Sequence, residues 1–276
     1  MAEAFYITGK DDDMRKAANI MLWTGIAIAA CIMTWLLFQA WQEESSIQAA
    51  IEQDKSLAEE AVALTELPAE EAETEDDENM LRSVDWEMLE EMNSDVAGWL
   101  YIPGTCIDYP VLQEQEGAKG FYLDHDFRGD ELASGAVFLP VQPYPDVEDA
   151  HTLLFGHRMK DRSLSFGMLG SYYGDEESGK GYEYAYLYWL GRTEKWRLWC
   201  MVDGNKKDAV YKAPYVLGDE AYGEMLAGID RKKAYGFGDA PDKDDRTLVL
   251  STCSGNAGGR QRLYVVFVLD RVGEAR

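Results

Sequence analysis

The sequence is poor in histidine, cysteine and basic residues, and each scarcity narrows the range of functions. It holds three histidines and four cysteines in 276 residues, and no two cysteines have metal-ligand spacing. We therefore expect no metal site, and nothing in the sequence requires an organic cofactor. Lysine and arginine number 26 against 51 aspartates and glutamates, for a formal net charge of -25. That imbalance argues against nucleic acid and against an anionic membrane surface as partners.

The four cysteines, Cys31, Cys106, Cys200 and Cys253, lie far apart in the chain. If the folded part is exported, Cys106 and Cys200 are candidates for a disulfide. Two unpaired core thiols are the alternative, and the sequence leaves both open.

Residues 17–41 contain no charge and are long enough to cross a bilayer as a helix. Basic residues before this run and Glu43-Glu44 after it predict a cytoplasmic tail over residues 1–16 and an extracellular remainder. A cleaved signal is the competing interpretation, because the residues before Cys31 resemble a lipoprotein cleavage site. The apolar run continues past Cys31 to Phe38, which favours a retained single-pass anchor in the cell membrane.

Residues 42–82 form an acidic segment in which Lys55 is the only base before Met80. Its first part is predicted to be weakly helical and its second part disordered. We interpret it as a stalk that contributes nothing to the folded domain, which is expected over residues 83–276.

The remainder predicts a mainly β domain. A helix is expected from Ser83 to Met92, with a capping residue and acids in its first turn. Another is expected at about Asp219–Ile229, within a long connection between strands. The segments 98–102, 107–112, 135–139, 152–155, 182–190, 195–202, 247–253 and 262–269 are predicted to be strands. Many short strands with few helices indicate a closed or nearly closed β-barrel.

The last two predicted strands carry the most informative chemistry. Cys253 ends the first and Arg262 begins the second, and the Gly-rich connection between them suits an antiparallel hairpin. A thiol beside a fixed cation is a candidate nucleophile with a partner for a thiolate or an oxyanion. A core cysteine and a surface arginine are the alternative interpretation.

A cysteine enzyme also needs a base, and there are three candidates. His157 follows the end of a predicted strand, where side chains leave the core. His125 lies between two aspartates and is equally suited to a structural hydrogen bond. His151 follows an acidic loop and is expected to face solvent. Taken singly, none of the three is decisive.

Several segments together resemble the catalytic domain of the class B sortases, in the family's order, from about residue 83 to 269. Phe155-Gly-His-Arg-Met-Lys-Asp161 is similar to the family segment that holds the catalytic histidine. Leu250-Ser-Thr-Cys253 matches the segment that ends on its nucleophile. Further similarities are Gly98–Gln113, Phe121–Phe127 and the strand that begins at Arg262.

The resemblance implies a closed eight-stranded barrel with an N-terminal helix, a preceding transmembrane helix and cysteine transpeptidase activity. Cys253 would attack the Thr carbonyl of an Asn-Pro-x-Thr-x-like sorting signal of a surface protein, and His157 would transfer protons. Arg262 would hold the oxyanion, with Thr252 and Ser251 as substrate-binding residues. The acceptor would be an amine of a cell-wall precursor or of a pilin-like protein.

Three residues depart from the family pattern: Val249 and Cys106 replace Thr and Asn, and Arg158 replaces the Asn after the histidine. These departures concern substrate preference more than chemistry. Two other functions remain open: a cysteine peptidase that uses water as acceptor, and a non-catalytic, membrane-anchored binding barrel.

Overall fold

The structure is a computed structural model. It describes residues 2–64, 79–80, 82–132, 134–141, 149–157, 165–212, 214–253 and 259–274. The chain divides into two compact units, Met1–Ala50 and Ile51–Arg276.

The first unit is helical. Helix α1 runs over Ala2–Ala61, and the part from Met14 onward is long and apolar enough to span a membrane, with a mean hydropathy of 2.1 over its most apolar window. The uncharged run 17–41 lies within this helix. Its large apolar side chains, such as Trp23 and Trp35, are exposed.

Among its described residues, the second unit contains eleven strands and several short helices. The strands are β1 (Val62–Leu64), β2 (Arg82–Val84), β3 (Val96–Tyr101), β4 (Asp108–Gln113), β5 (Val137–Leu139), β6 (His151–Phe155), β7 (Tyr184–Trp189), β8 (Arg192–Asn205), β9 (Tyr235–Gly236), β10 (Thr247–Cys253) and β11 (Gln261–Glu274). The α-helices are α2 (Trp86–Met92), α3 (Leu169–Tyr172), α4 (Glu176–Gly179) and α5 (Glu220–Lys232). Three 3₁₀ turns, η1 (Phe121–Leu123), η2 (Ser165–Met168) and η3 (Ala209–Lys212), lie in connections.

Eight of the strands close into a barrel. Their order is β11-β10-β6-β5-β4-β3-β7-β8, and a pairing between β8 and β11 joins the two ends. β9 extends β8 by one short edge strand, while β1 and β2 form a separate antiparallel pair. The predicted closed eight-stranded barrel is therefore confirmed. Two of its pairings, β4 with β5 and β6 with β10, are parallel.

Apolar side chains fill both sides of the strands that follow β9. Leu248 and Leu250 of β10 belong to the barrel interior. Val249, between them, belongs to a second cluster on the outside, where helix α5 contributes Tyr222 and Ile229. α5 confirms the helix predicted at about 219–229. Because β10 is buried on both faces, it reads as a continuous apolar run rather than as an alternating one.

Helix α2 begins later than its sequence suggests. Ser83 lies in β2, and the helix starts at Trp86, where the side chain of Asp85 accepts a hydrogen bond of 3.0 Å from the backbone N of Met88. An aspartate in this position satisfies one of the unpaired N–H groups of the first turn and complements the helix dipole. The capping residue is therefore Asp85.

The last turns of α1 pack on the barrel, whereas the sequence predicts that this segment contributes nothing to it. Leu57 and Ala61 are buried in a cluster with Leu89 and Trp99. They are four residues apart, so they lie on one face of the helix. Gln53 also donates a hydrogen bond of 3.3 Å to Asp126. Leu57 and Ala61 are buried, but two apolar residues in a strongly acidic segment are too weak a sequence pattern to predict this packing.

A carboxyl group makes this packing sensitive to pH. Burial, and then the charge of Asp126, raise the pKa of Asp54 from 3.8 to about 7. Because the packed state holds this proton more tightly than an unfolded chain does, Asp54 favours packing at acid pH. That contribution is complete below the ordinary pKa and is lost as the pH rises through about 7.

Cys106 and Cys200 are both free thiols, Cys106 exposed and Cys200 buried. The sequence leaves open a disulfide between these two residues or two unpaired thiols, and in the structure both thiols are unpaired.

We expect Leu57→Ala to lower the free energy of unfolding of a 51–276 fragment by about 2–5 kcal/mol, the range for truncating a buried leucine. Glu60→Ala, at an exposed position of the same helix, is the matched control and should change it by less than about 0.5 kcal/mol. Denaturant-induced unfolding measures both. Equal stabilities for the two variants would show that this segment is not part of the folded unit.

Candidate active site

Cys253 and Arg262 are direct cross-strand neighbours. β10 and β11 pair antiparallel in a register that joins Thr247 to Val268 at one end and Cys253 to Arg262 at the other. Side chains directly opposite each other in such a pair lie on the same face of the sheet, with Cβ atoms about 4.5–5.5 Å apart. The hairpin predicted from the sequence thus places the thiol-bearing residue next to the guanidinium.

His157 occupies the corresponding position on the other side of β10. β6 runs parallel to β10, and the last pair in their register is Phe155 with Ser251. The backbone N of Gly156 donates to the carbonyl of Ser251 at 3.2 Å, a bond that belongs to this last pair. His157 and Cys253 each follow this last pair by two residues. They therefore lie at the same end of two adjacent strands, which are spaced about 4.8 Å apart.

The strand register gives Arg262 and Cys253 the same parity as residues on the outer face of the barrel. Side chains alternate along a strand, so Cys253 has the parity of Val249, and Arg262 has that of Tyr264 and Val266. These three reference residues belong to the outer cluster beneath α5. His157 follows β6 directly, two residues beyond Phe155. One end of the barrel thus carries Cys253 and Arg262 on paired strands and His157 just after the neighbouring strand, and we call these three residues the row.

The environment of His157 favours a neutral imidazole. The ring is half-buried, and its Nδ1 is buried with no hydrogen-bond partner among the described residues. Burial lowers the pKa of His157, and the charge of Asp124 opposes this in part. A neutral imidazole beside a thiol can accept its proton, and an imidazolium with a lowered pKa releases that proton readily.

The other two histidines serve structural contacts. Nδ1 of His125 lies 2.9 Å from the carbonyl of Phe121 and 2.8 Å from Asp124, and the ring stacks on Phe121. The expectation that His151 faces solvent is wrong. His151 begins β6, is buried, and lies 3.1 Å from both Thr247 Oγ1 and the Val210 carbonyl. Burial lowers its pKa to about 4, so it stays neutral.

The strand start holds Arg262 in place. Its Nη1 donates to the carbonyls of Gly259 at 2.9 Å and Gln261 at 2.8 Å. Within the part of the chain that the structure describes, no carboxylate forms an ion pair with it. The remaining guanidinium N–H groups are therefore available to an oxyanion.

Ser251 and Thr252 lie on opposite faces of β10. Ser251 shares the outer face with Cys253, and its Oγ lies 2.8 Å from the hydroxyl of Tyr211. Thr252 has the parity of Leu250 in the barrel interior, is 3% exposed, and its Oγ1 has no partner among the described residues. Ser251 is itself 0% exposed, so both of the predicted substrate-binding side chains are buried.

Tyr211 is the residue near the row that sequence analysis missed. It lies in η3, stacks on Phe155 with ring centroids 6.1 Å apart, and meets Tyr264 edge-on at 6.0 Å. These rings form an aromatic wall beside Ser251. A single tyrosine in a connection carries no distinguishing pattern, so only the fold shows its position.

Parts of the predicted site lie outside the described residues. They are the side chain of Cys253, the Gly-rich connection over residues 254–258, and Arg158 with the rest of segment 158–164. Among the residues that are described, no group of three or more His, Cys, Asp or Glu side chains could hold a metal ion.

Comparisons with known proteins agree with this geometry. No protein-family model matches the chain. Sortase B of Listeria monocytogenes serovar 1/2a is 36% identical over 76 residues, which are 28% of this chain and 30% of that protein. Sortase B of Staphylococcus aureus is 27% identical over 170 residues, 61% of this chain and 67% of that protein.

Solved structures extend the similarity to the fold. The S. aureus sortase B–substrate complex is 25% identical with a TM-score of 0.60, over 68% of this chain and 85% of that chain. Clostridium perfringens sortase B is 25% identical with a TM-score of 0.58, over 67% and 99%. The chain is a homologue of the class B sortases. Sortase B of B. anthracis, 21% identical with a TM-score of 0.64 over 84% of this chain, shows the same fold.

The class B sortase similarity and the barrel together support a sortase-type cysteine transpeptidase. The departure from the family pattern at Cys106 lies in the turn between β3 and β4, at the same end of the barrel as the row. There its thiol is exposed, and its backbone N donates to the hydroxyl of Tyr172 at 3.1 Å.

We expect His157→Ala to lower kcat/KM for a signal peptide by at least about 100-fold, the scale of losing general acid–base help. His125→Ala is the matched control, because its ring makes only local contacts, and it should stay within a few-fold of the unmodified protein. Steady-state kinetics on folded variants measure both. Loss of activity in His125→Ala with His157→Ala active would reverse the assignment.

Arg262→Ala should lower kcat/KM by about 100-fold or more, since removing an oxyanion donor has that effect. Arg260 is exposed and precedes β11, so Arg260→Ala should have a milder effect, mainly on peptide KM. The same assay compares them. A larger loss for Arg260→Ala than for Arg262→Ala contradicts the assignment.

Proposed function

We propose that the protein is a membrane-anchored transpeptidase that cleaves a sorting signal after Thr and transfers the acyl group to an amine. The observation that supports this most strongly is the cross-strand pair of Cys253 and Arg262, with His157 just after the end of the neighbouring strand. A nucleophile between a base and a cation is the arrangement that acyl transfer requires.

In the first half-reaction, the Cys253 thiol passes its proton to His157, and the thiolate attacks the Thr carbonyl. Arg262 stabilises the oxyanion of the tetrahedral intermediate. When the C–N bond breaks, the imidazolium of His157 protonates the leaving amine and a thioester remains. The lowered pKa of His157 favours this proton transfer.

In the second half-reaction, an amine attacks the thioester and His157, now neutral, accepts its proton. The tetrahedral intermediate collapses, the C–S bond breaks, and Cys253 leaves as a thiolate that regains the proton from His157. Each group returns to its starting state, so the cycle needs no external acid, base or cofactor.

The substrate class follows from the sequence resemblance and from the similarity to a sortase B that was solved in complex with a substrate. We assign an Asn-Pro-x-Thr-x-like signal on a surface protein as acyl donor. The acceptor is an amine of a cell-wall precursor or of a pilin-like protein. Ser251, two residues before Cys253, and Thr252 are both buried, so both are assigned a supporting role beneath the bound signal. Ser251 acts there through its hydrogen bond with Tyr211.

The anchor has a defined place in this function. Residues 1–16 are assigned to the cytoplasm and 17–41 to the membrane, with the catalytic unit outside, as the basic residues before the apolar run favour. We place the start of the catalytic unit at residue 51, since Leu57 and Ala61 are buried in its cluster. Residues 42–50 and the acidic segment at 65–78 are the remainder of the predicted stalk.

Incubation of the full chain in detergent with an Asn-Pro-x-Thr-x peptide library and an amine should yield ligated peptides, identified by mass. Cys253→Ala should abolish them, whereas Cys106→Ala, which removes an exposed thiol, should retain them. A product that contains water in place of the amine at saturating amine identifies a peptidase instead. Absence of any cleavage contradicts the proposal.

A further inference from the structure

A cluster of basic side chains lies at the same end of the barrel as Cys253. Lys206 and Lys207 follow the end of β8, and Arg260 precedes the start of β11; all three are exposed. None forms an ion pair with any residue in the described part of the chain. We call these three residues the basic patch. It is a local exception in a protein whose formal net charge is -25.

The strand register places the basic patch just beyond Arg262, at the ends of the paired strands β8 and β11. β8 and β11 pair Gly204 with Arg262 and Asn205 with Gln261. The backbone N of Lys206 donates to the carbonyl of Arg260 at 2.9 Å, so these two residues continue the ladder. Arg260 therefore has the parity of Arg262, about 7 Å further along the strand at 3.3–3.4 Å per residue. That is within reach of two or three residues of an extended peptide held at Cys253.

The buried acid next to the basic patch in sequence is already paired. Asp208 is buried, pairs with Lys232 and accepts a hydrogen bond from Tyr264 at 3.2 Å. The residues that connect Cys253 to Gly259 carry no charge in the sequence. Three exposed cations and the Arg262 guanidinium thus outnumber the one exposed carboxylate on this end of β8, Asp203, and such a local excess of positive charge attracts anionic groups at low ionic strength.

The part of the substrate that lies near the basic patch depends on which side of Cys253 the basic patch occupies. It lies on the β11 and β8 side of Cys253, beyond Arg262, whereas His157 lies on the β6 side. His157 handles the two amines, so the leaving segment and the acceptor approach from its side. The acyl segment, upstream of the cleaved bond, then extends towards Arg262 and the basic patch.

We propose that the basic patch binds an acidic side chain of the acyl-donor peptide, upstream of the cleaved bond, and thereby sets donor preference. This inference rests on the proposed function and adds the charge of the preferred donor. Exposed ion pairs are individually weak and screened by salt, so the expected preference is modest, about 3- to 10-fold in kcat/KM at low ionic strength.

The test uses the full chain in detergent with three peptides that share one signal: Glu upstream, Gln at the same position, and Glu downstream of the cleaved bond. We expect the upstream-Glu peptide to exceed its Gln counterpart by about 3- to 10-fold in kcat/KM. The preference should shrink towards unity at high salt, and the downstream-Glu peptide should show none.

Variants separate the basic patch from general electrostatics. In the double variant Lys206→Gln/Arg260→Gln, the ratio of upstream-Glu to Gln rates should fall to about one. Lys243→Gln is the matched control: it removes an exposed lysine before the start of β10, at the opposite end of the strand from Cys253, and should leave the ratio unchanged.

Each contrary outcome has a distinct meaning. Equal rates for the Glu and Gln peptides in the unmodified protein overturn this inference and leave the proposed function intact, because both peptides are ligated. If the double variant changes only the amine KM, the basic patch serves an anionic acceptor and the inference is wrong. If no peptide is cleaved, the proposed function fails and this inference fails with it.

Discussion

The hydrogen-bond ladder that joins β6, β10 and β11 is the constraint on which the candidate site depends. It brings residues more than ninety positions apart in sequence to one end of the barrel. Neighbouring strands are about 4.8 Å apart, so residues at the ends of these strands lie close together. Pre-organisation of this kind is what makes electrostatic stabilisation of an oxyanion effective.

Hydrophobic alternation cannot hold this ladder in register by itself. β10 is apolar on both faces, and a slip of one residue would exchange Val249 with Leu250 while moving Cys253 to the interior. Polar contacts at the other end of the strands provide the missing specificity. Thr247 Oγ1 lies 3.1 Å from His151 and 3.0 Å from the hydroxyl of Tyr222. We interpret buried, neutral His151 as a residue that fixes the register of the catalytic row.

A glycine supports the other side of the row. Gly204 pairs with Arg262, and a Cβ at this position would meet Tyr264 Cε1 and Asp208 Oδ2 at 2.4 and 2.5 Å. Only glycine lets the Tyr264 ring lie this close to β8 while it bonds to Asp208. The strand that begins with Arg262 is thereby packed tightly against its neighbour.

The sequence could predict the parts of this molecule whose signals are local. The hairpin of β10 and β11, helix α5 and most strands follow from short apolar runs and turn residues, and the barrel follows from their number. The parallel pairing of β6 with β10 has no local signal, so the position of His157 beside Cys253 rested on the family resemblance. The burial of His151 and Leu57 was missed for a related reason, since each is an isolated residue in a polar or acidic context.

The sequence argument treated Ser251 and Thr252 alike, because it could not determine which face of the strand each side chain occupies. Parity separates them only once the register is known: Ser251 lies outside with Cys253, and Thr252 lies inside with Leu250. The two predicted substrate-binding residues therefore differ in what they can touch.

A crystal structure of the protein with a signal-peptide mimic captured covalently on Cys253 tests the central claim most directly. The account predicts that the captured carbonyl oxygen lies within hydrogen-bond distance of the Arg262 guanidinium, with the His157 ring on the opposite side of Sγ. A Cys253 side chain that points into the barrel, or a His157 ring on a different face from Arg262, would contradict it.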